Sequence, residues 1–431
     1  MSINNQIVDQ YDQKSSAKKL IVLSAVLYAI TIAGRKIFNA NINELIANLG
    51  QDKSQLGLIS TFFFVGCAVG QLVHGLLCKH YNSKYAIFAV VMVTGVLYGA
   101  IPFVPAEMFH LVKYLWLING LIEAALWTSL LLFLNTAIPN KYMSFMFALL
   151  ALPTPVGNCL AYGISSLLSF LGAYQWSFYS IFILYMIIGA IWLVFAKKME
   201  SNCLLEKSVV DQLDTPQTQE QQAVSKKKIP LSFVIGLVTI CVLCIAEEIC
   251  YEGLFTWMPT ILTERYGMEN WVGVLLAMLL PIVAYFGNML GKILQEKLKD
   301  YMLSMGILFG TAMVFLAITI ACFGLNTWVI TVACLTICTC MVAGANMIET
   351  VIYPMENSQY LNAGLMGGII CASCYIGCAI SGYGLGGIAD GGSWLPALWL
   401  LFFLMLGGGI IAFVMYAIQR KKSKVDNKVE E

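Results

Sequence analysis

Apolar runs of about twenty residues or more recur along almost the whole chain, each closed off by a short polar stretch. A run of that length crosses a hydrocarbon core of about 30 Å as a helix. Twelve such spans are expected, at residues 20–43, 55–77, 85–105, 111–137, 143–170, 174–196, 231–262, 271–295, 301–323, 327–352, 359–388 and 395–418. The first follows a polar segment and has no small-residue cleavage site after it, so it is expected to stay as a helix rather than leave as a signal peptide. One long polar segment, residues 197–230, interrupts the series; rich in Gln, Ser, Lys and acids and poor in aromatics, it reads as a cytoplasmic linker. The resulting divisions are a tail (1–19), six spans (20–196), the linker (197–230), six spans (231–418) and a second tail (419–431).

Composition agrees with a membrane setting. Of 431 residues, 59% are hydrophobic and 11% charged, well under the roughly 25% charge of soluble domains. Charge then sets the orientation. If both termini are cytoplasmic, 20 of the 25 Lys and Arg residues fall on the cytoplasmic side, in loops and tails such as Lys197–Lys198, Lys226–Lys228 and Arg420–Lys428. Lys53, Lys113 and Arg265 remain on the outer face, and Arg35 and Lys36 belong to no loop. A multi-pass plasma-membrane protein, working as a monomer in the lipid bilayer, is expected.

Fourteen cysteines include the C-x-x-C pairs Cys241/Cys244 and Cys371/Cys374, but these sit inside expected spans, where a thiol packs as a small hydrophobe. No metal or redox role is expected from them. No nucleophile–base arrangement, phosphate-cradling glycine loop or ligand set is visible. An enzyme, a resident cofactor and a nucleic-acid partner are therefore not expected, and any pumping must draw on an ion or solute gradient.

Ionisable residues deep in a span are costly and normally face a wet cavity or a partner. Arg35 lies about 22 Å into the first span at ~1.5 Å per residue. Tyr28, Thr31, Arg35 and Asn39 recur at helical spacing and form one polar stripe, with Lys36 rotated by about 100° toward the second span or the cavity edge. In the fourth span Glu123 has Trp127 one turn away. The seventh carries EEICYEG, in which Glu247, Glu248 and Glu252 crowd within six residues around Tyr251. Crowded carboxylates out of water favour holding a proton, so Glu123, Glu247, Glu248 and Glu252 are the proton-coupling candidates. Two alternatives stay open: Arg35 and Glu123 forming a purely structural pair, and Glu247 or Glu248 capping a helix break above Gly253. Tyr162, Trp257, Asn346 and Tyr375 could complete a substrate-binding lining with Arg35, Lys36, Tyr28, Asn39, Glu123, Trp127 and Tyr251; each of these aromatic and amide residues could equally be bundle packing. Glu349 is expected near the cytoplasmic surface, at a gate or interface.

Three stretches carry a family resemblance: Tyr28, Arg35, Lys36 and Phe38 in Y-x6-R-K-x-F; Gly253, Trp257, Pro259 and Thr260 in GLFTWMPTIL; and the glycines, Tyr375 and Asp390 of AGLMGGIICASCYIGCAISGYGLGGIAD, preceded by Glu356. They resemble the organophosphate:phosphate antiporter family of the major facilitator superfamily, over most of the chain at low identity. The resemblance implies an all-α membrane fold of twelve transmembrane helices in two pseudo-symmetric six-helix bundles, both termini cytoplasmic, with a central site near the bilayer midplane. The departures are specific. Tyr251 stands where phosphate-ester carriers have a second arginine, Gln71 where the family has a lysine, and Thr154 near its helix 5 histidine. The superfamily's loop signature persists only as Gly75 and Lys84, with Lys79 and His80 replacing its acid–base pair.

The expected function is a secondary active transporter that moves a small polar organic anion or zwitterion by alternating access, coupled to a proton or to a counter-substrate. Antiport against phosphate, export of amphiphilic compounds and sensing without transport are the alternatives. In this reading GRKIFNANI faces EEICYEG rather than a second arginine.

Overall fold

The computed structural model describes residues 16–77, 80–213, 229–361 and 363–430. Among them, twelve helices are long and apolar enough to cross a membrane: α1 (Ser16–Ala40), α2 (Lys53–Leu77), α3 (Ser83–Phe103), α4 (Ala106–Ala137), α5 (Asn140–Phe170), α6 (Gln175–Leu204), α7 (Leu231–Tyr266), α8 (Asn270–Leu298), α9 (Tyr301–Cys322), α10 (Trp328–Glu356), α11 (Leu365–Ala389) and α12 (Leu395–Lys421). Lys14, Lys79 and Lys226–Lys228, counted above for orientation, lie outside the described residues. Helix α6 does not stop at residue 196 but continues to Leu213. The extension is held where Lys84 pairs with Glu200 and where the Trp192 indole N–H donates to the Lys84 carbonyl at 3.0 Å.

Each half is built on close backbone contact between small residues, and the two halves repeat the device. In the first half a Cβ on Gly66 would come within 2.2 Å of the Leu117 carbonyl oxygen, and one on Gly120 within 2.1 Å of that of Phe63, so α2 and α4 touch backbone to backbone. In the second, Gly287 and Gly291 of α8 stand the same way against Cys340 and Gly344 of α10. Between halves, α2 meets α11 where a Cβ on Gly57 would sit 2.2 Å from the Gly382 carbonyl oxygen, and α5 meets α8, where Cys159 reaches the Met278 carbonyl. Small residues at such crossings are what allows apolar helices to pack in lipid.

Twelve spans return the chain to the side on which it started. At the opposite end the halves are bound together: Asn43 bonds Thr260 (2.6 Å) and Thr263 (3.1 Å), Lys53 pairs with Glu264 (2.9 Å), Asp390 accepts from the Lys53 and Ser54 amides (both 3.1 Å), and Ser166 donates to the Trp271 carbonyl (2.9 Å). Helix α11 registers the difference along its own length. Gly382 and Gly386 are pressed against α2, whereas a Cβ on Gly367 or Gly368, toward the side of the termini, would meet nothing within 4 Å.

Two helices of the second half contain irregular turns. Pro259 lies inside α7. Having no N–H, it leaves the carbonyl of Phe255, four residues back, without its helical donor. Tyr162 of α5 fills the vacancy, its hydroxyl donating to that carbonyl at 2.5 Å. In α10 the residues Ile348–Ile352 form a π-helical turn, a local widening that redirects the side chains it carries.

Candidate functional site

Arg35 is positioned by its neighbour. Gly34 has no side chain, and a Cβ there would collide with the Tyr185 hydroxyl at 2.3 Å, so Tyr185 can lie flat on α1 and donate to the Thr31 carbonyl (3.1 Å). Beside that contact Arg35 extends toward α4. Its Nε donates to Glu123 Oε1 at 2.9 Å, and Tyr98 donates to Glu123 Oε2 at 3.2 Å. Glu123 is 1% exposed and Arg35 18%. An opposite pair at this range attracts by about 4 kcal/mol at an effective dielectric of ~20, which offsets much of the cost of burying both. The two terminal NH₂ groups of Arg35 have no hydrogen-bond partner among the described residues. Tyr28 and Trp127, their rings tilted by 31° with centroids 4.8 Å apart, are both half-buried.

Lys36 points elsewhere. Its ammonium crosses between the halves and pairs with Glu252, while Asn39 donates to Glu252 Oε1 (3.2 Å) and to the Thr256 hydroxyl (2.9 Å). Phe255 lies beneath the ammonium at 5.2 Å, and Tyr251 packs on Phe255 with centroids 4.8 Å apart. GRKIFNANI thus meets EEICYEG through Lys36 and Asn39, and Arg35 turns into its own half.

Beyond this crossing, toward the bound end, Asn43, Thr256 and Thr260 are buried; on the side of the termini, Tyr28, Arg35, Trp127, Tyr251, Asn346 and Tyr375 are half-exposed at mid-height. Three of these six come from each half, Arg35 among the first three and Asn346 among the second. Tyr375 of α11 lies against Phe64 of α2, ring centroids 6.5 Å apart. Trp257 is not brought to this group. Its ring packs on Trp394 at 5.5 Å and its N–H donates to the Ser381 carbonyl at 3.3 Å, so it secures α7 against α11.

The remaining acids form a second cluster. Asn346 Nδ2 donates to Glu247 Oε2 (3.2 Å) and Glu248 Oε1 (3.0 Å), and the Cys378 thiol donates to Glu248 Oε2 (3.4 Å). Glu349 is not near a surface, as its sequence position suggests. The π-helical turn swings it inward, where it is fully buried with one ligand atom each of Glu349, Glu247 and Cys244 within 4.8 Å of one another. Two unit charges at about that spacing repel by roughly 3 kcal/mol at an effective dielectric of ~20. Cys244 in turn lies 3.0 Å, sulfur to sulfur, from Cys374. Tyr98 is the member of this network that sequence reasoning did not select; Tyr162 is named there among the possible lining residues and Glu349 is placed at a gate or interface.

The family model of the Major Facilitator Superfamily matches residues 24–382. A hexuronate transporter of Bacillus subtilis is 22% identical over 264 residues, 61% of this chain and 60% of the relative, so the match spans less than two thirds of that protein. A probable hexose phosphate transport protein of Chlamydia trachomatis is 30% identical over 93 residues, 22% of this chain and 20% of the relative. Among solved structures, that of a D-xylose–proton symporter superposes with a TM-score of 0.69 at 13% identity, covering 93% of this chain and 97% of the other, which shows the shared fold. None of these proteins is an enzyme. With twelve spans, two repeated halves and a family match across most of its length, the chain is a multi-pass membrane protein that belongs to the major facilitator superfamily.

Proposed function

We propose that the protein is a secondary active transporter of the plasma membrane that moves a small polar organic anion or zwitterion by alternating access and draws on a proton gradient. The carrying observation is Arg35. One edge of its guanidinium is held by Glu123, its two NH₂ groups have no hydrogen-bond partner among the described residues, and we take the six half-buried residues named above as the wall of the substrate cavity. A planar fork of this kind suits a carboxylate, which it can bind in bidentate fashion. With Tyr251 in place of the second arginine expected of phosphate-ester carriers, a single negative charge is favoured over two. Asn346, Tyr28 and Tyr375 offer partners for hydroxyl or amino groups at the substrate's other end. The likeness to a hexuronate transporter supports a hydroxylated monocarboxylate.

With both termini cytoplasmic, the cavity opens inward and the bonded end faces out. Outward opening then requires Lys36–Glu252, Asn43–Thr260 and Lys53–Glu264 to part while the inner ends of the halves close. A thermal-shift screen of the detergent-solubilised protein against sugar acids, amino acids, other organic acids and sugar phosphates tests the substrate class. A monocarboxylate hit is expected, lost in the charge-balanced double variant Arg35→Gln/Glu123→Gln, with flux into liposomes driven by a pH gradient. A sugar-phosphate hit that exchanges against inorganic phosphate with no response to pH would replace this reading with phosphate antiport.

A further inference from the structure

Among the described residues Glu349 has no counter-charge, and the Cys244 thiol and the Glu247 carboxylate lie beside it. It is 0% exposed, neither carboxylate oxygen has a hydrogen-bond partner, and Glu247 Oε1, also buried, has none either. The groups around it can be enumerated helix by helix. From α7 come Cys244, Glu247 and Glu248; from α11 come Cys371, Cys374 and Cys378, the last already bonded to Glu248. Helix α9 carries no charged residue along Tyr301–Cys322. On α8, Lys292 stands with Met347 and Val351 around an open pocket of about 660 Å³ on another face of α10, 3.8 Å from Glu296. The cations at mid-height are committed: Lys36 to Glu252 and Arg35 to Glu123.

A buried carboxylate with no cation beside it, only a weak thiol donor and a second acid, favours its neutral form. One carboxylate oxygen of each acid falls within 4.8 Å of the other. The available species is then one that needs no coordination shell. A hard metal cation requires about six oxygen ligands, and the cluster offers one thiol and two carboxyl groups. From this geometry, and resting on the proton-coupled reading above, we infer that Glu349 with Glu247 is the site where the coupling proton is carried. Glu123 and Glu252, balanced by Arg35 and Lys36, then serve the framework instead. On loading, an O–H bond forms on a carboxylate oxygen with a proton supplied by cavity water; on release the same bond breaks and the proton returns to water on the other side. Asn346 is the link to the cavity. Half-exposed there, it donates to Glu247 and Glu248 together, so a charge appearing on Glu247 tightens its hold on an amide that also lines the substrate space.

The test needs no substrate. Infrared titration of the purified protein reads the C=O band of protonated carboxyl groups. The wild type is expected to keep such a band at neutral pH, and Glu349→Gln and Glu247→Gln each to lose part of it. Absence of the band in the wild type, or its undiminished presence in both variants, overturns the assignment. Displacement of the band by Zn²⁺ at constant pH also overturns it, in favour of a metal site. A merely structural neutral acid is separated by a second measurement. Spin labels introduced as unnatural amino acids at the exposed positions Leu76 and Met355 should report a distance distribution that shifts with pH in the wild type and not in Glu349→Gln. A shift that persists in the variant removes Glu349 from coupling. Failure of the solute screen, by contrast, would sink the transport reading and leave these titrations intact.

Discussion

The two halves share a backbone plan and differ in how they treat buried charge. In the first, Arg35 and Glu123 cancel, with Tyr98 completing the carboxylate's bonds. In the second, Glu247 and Glu248 share one amide, Asn346, Glu349 lies buried beside Glu247, and the lysine that approaches from across the divide is taken by Glu252. A balanced pair is a fixed fitting whose occupancy does not change with conditions. An unbalanced cluster must be completed from outside, and what completes it can come and go. In the function proposed above, one half holds a ligand's charge and the other exchanges a proton with water.

The comparison is easiest to break at its balanced side. Arg35→Ala strands Glu123 and should cost about 3–5 kcal/mol of stability, read as a lower melting temperature in detergent. The double variant Arg35→Gln/Glu123→Gln should recover most of that loss. An Arg35→Ala protein as stable as the wild type would mean that the pair is not what balances the first half. Next in size is Glu252→Gln, which removes a charged acceptor from Lys36 and should cost about 2 kcal/mol. Hydrogen exchange over residues 36–44 should rise with it, because the contact joins the halves. Tyr162→Phe should cost about 1 kcal/mol and raise exchange around Phe255 without affecting the acids. Smallest is Glu349→Gln, at most about 0.5 kcal/mol, since an amide replaces an acid that is already neutral. A loss comparable with that of Arg35→Ala would show that Glu349 is ionised, and the contrast between the halves would collapse.

Much of the fold could be read from the chain alone, because a span in lipid must satisfy its own backbone and so declares itself by length and apolarity. The polar stripe of α1 was legible for the same reason, and so was the pairing of Arg35 with Glu123 as one of two alternatives. What periodicity could not supply was the partner of Lys36, which comes from 216 residues away and depends on how the halves dock. Nor could it supply the neighbours of Glu349, because the π-helical turn at Ile348–Ile352 changes the face a regular helix would present there. Trp257 shows the opposite limit. Its family position marked it for the cavity, yet the Trp394 ring and the Ser381 carbonyl claim it for packing.

The carbonyl that Pro259 strands at Phe255 has one further consequence. Elsewhere along an α-helix the neighbouring carbonyls are occupied by the helix itself, so a hydroxyl displaced by one turn finds no equivalent seat. The Tyr162 contact therefore acts as a detent rather than as a hinge. The halves can swing away from it and return, but they cannot ratchet past it to rest one turn over. Each transport cycle would then close at the same mark, keeping the outer seal in register however the inner side has moved.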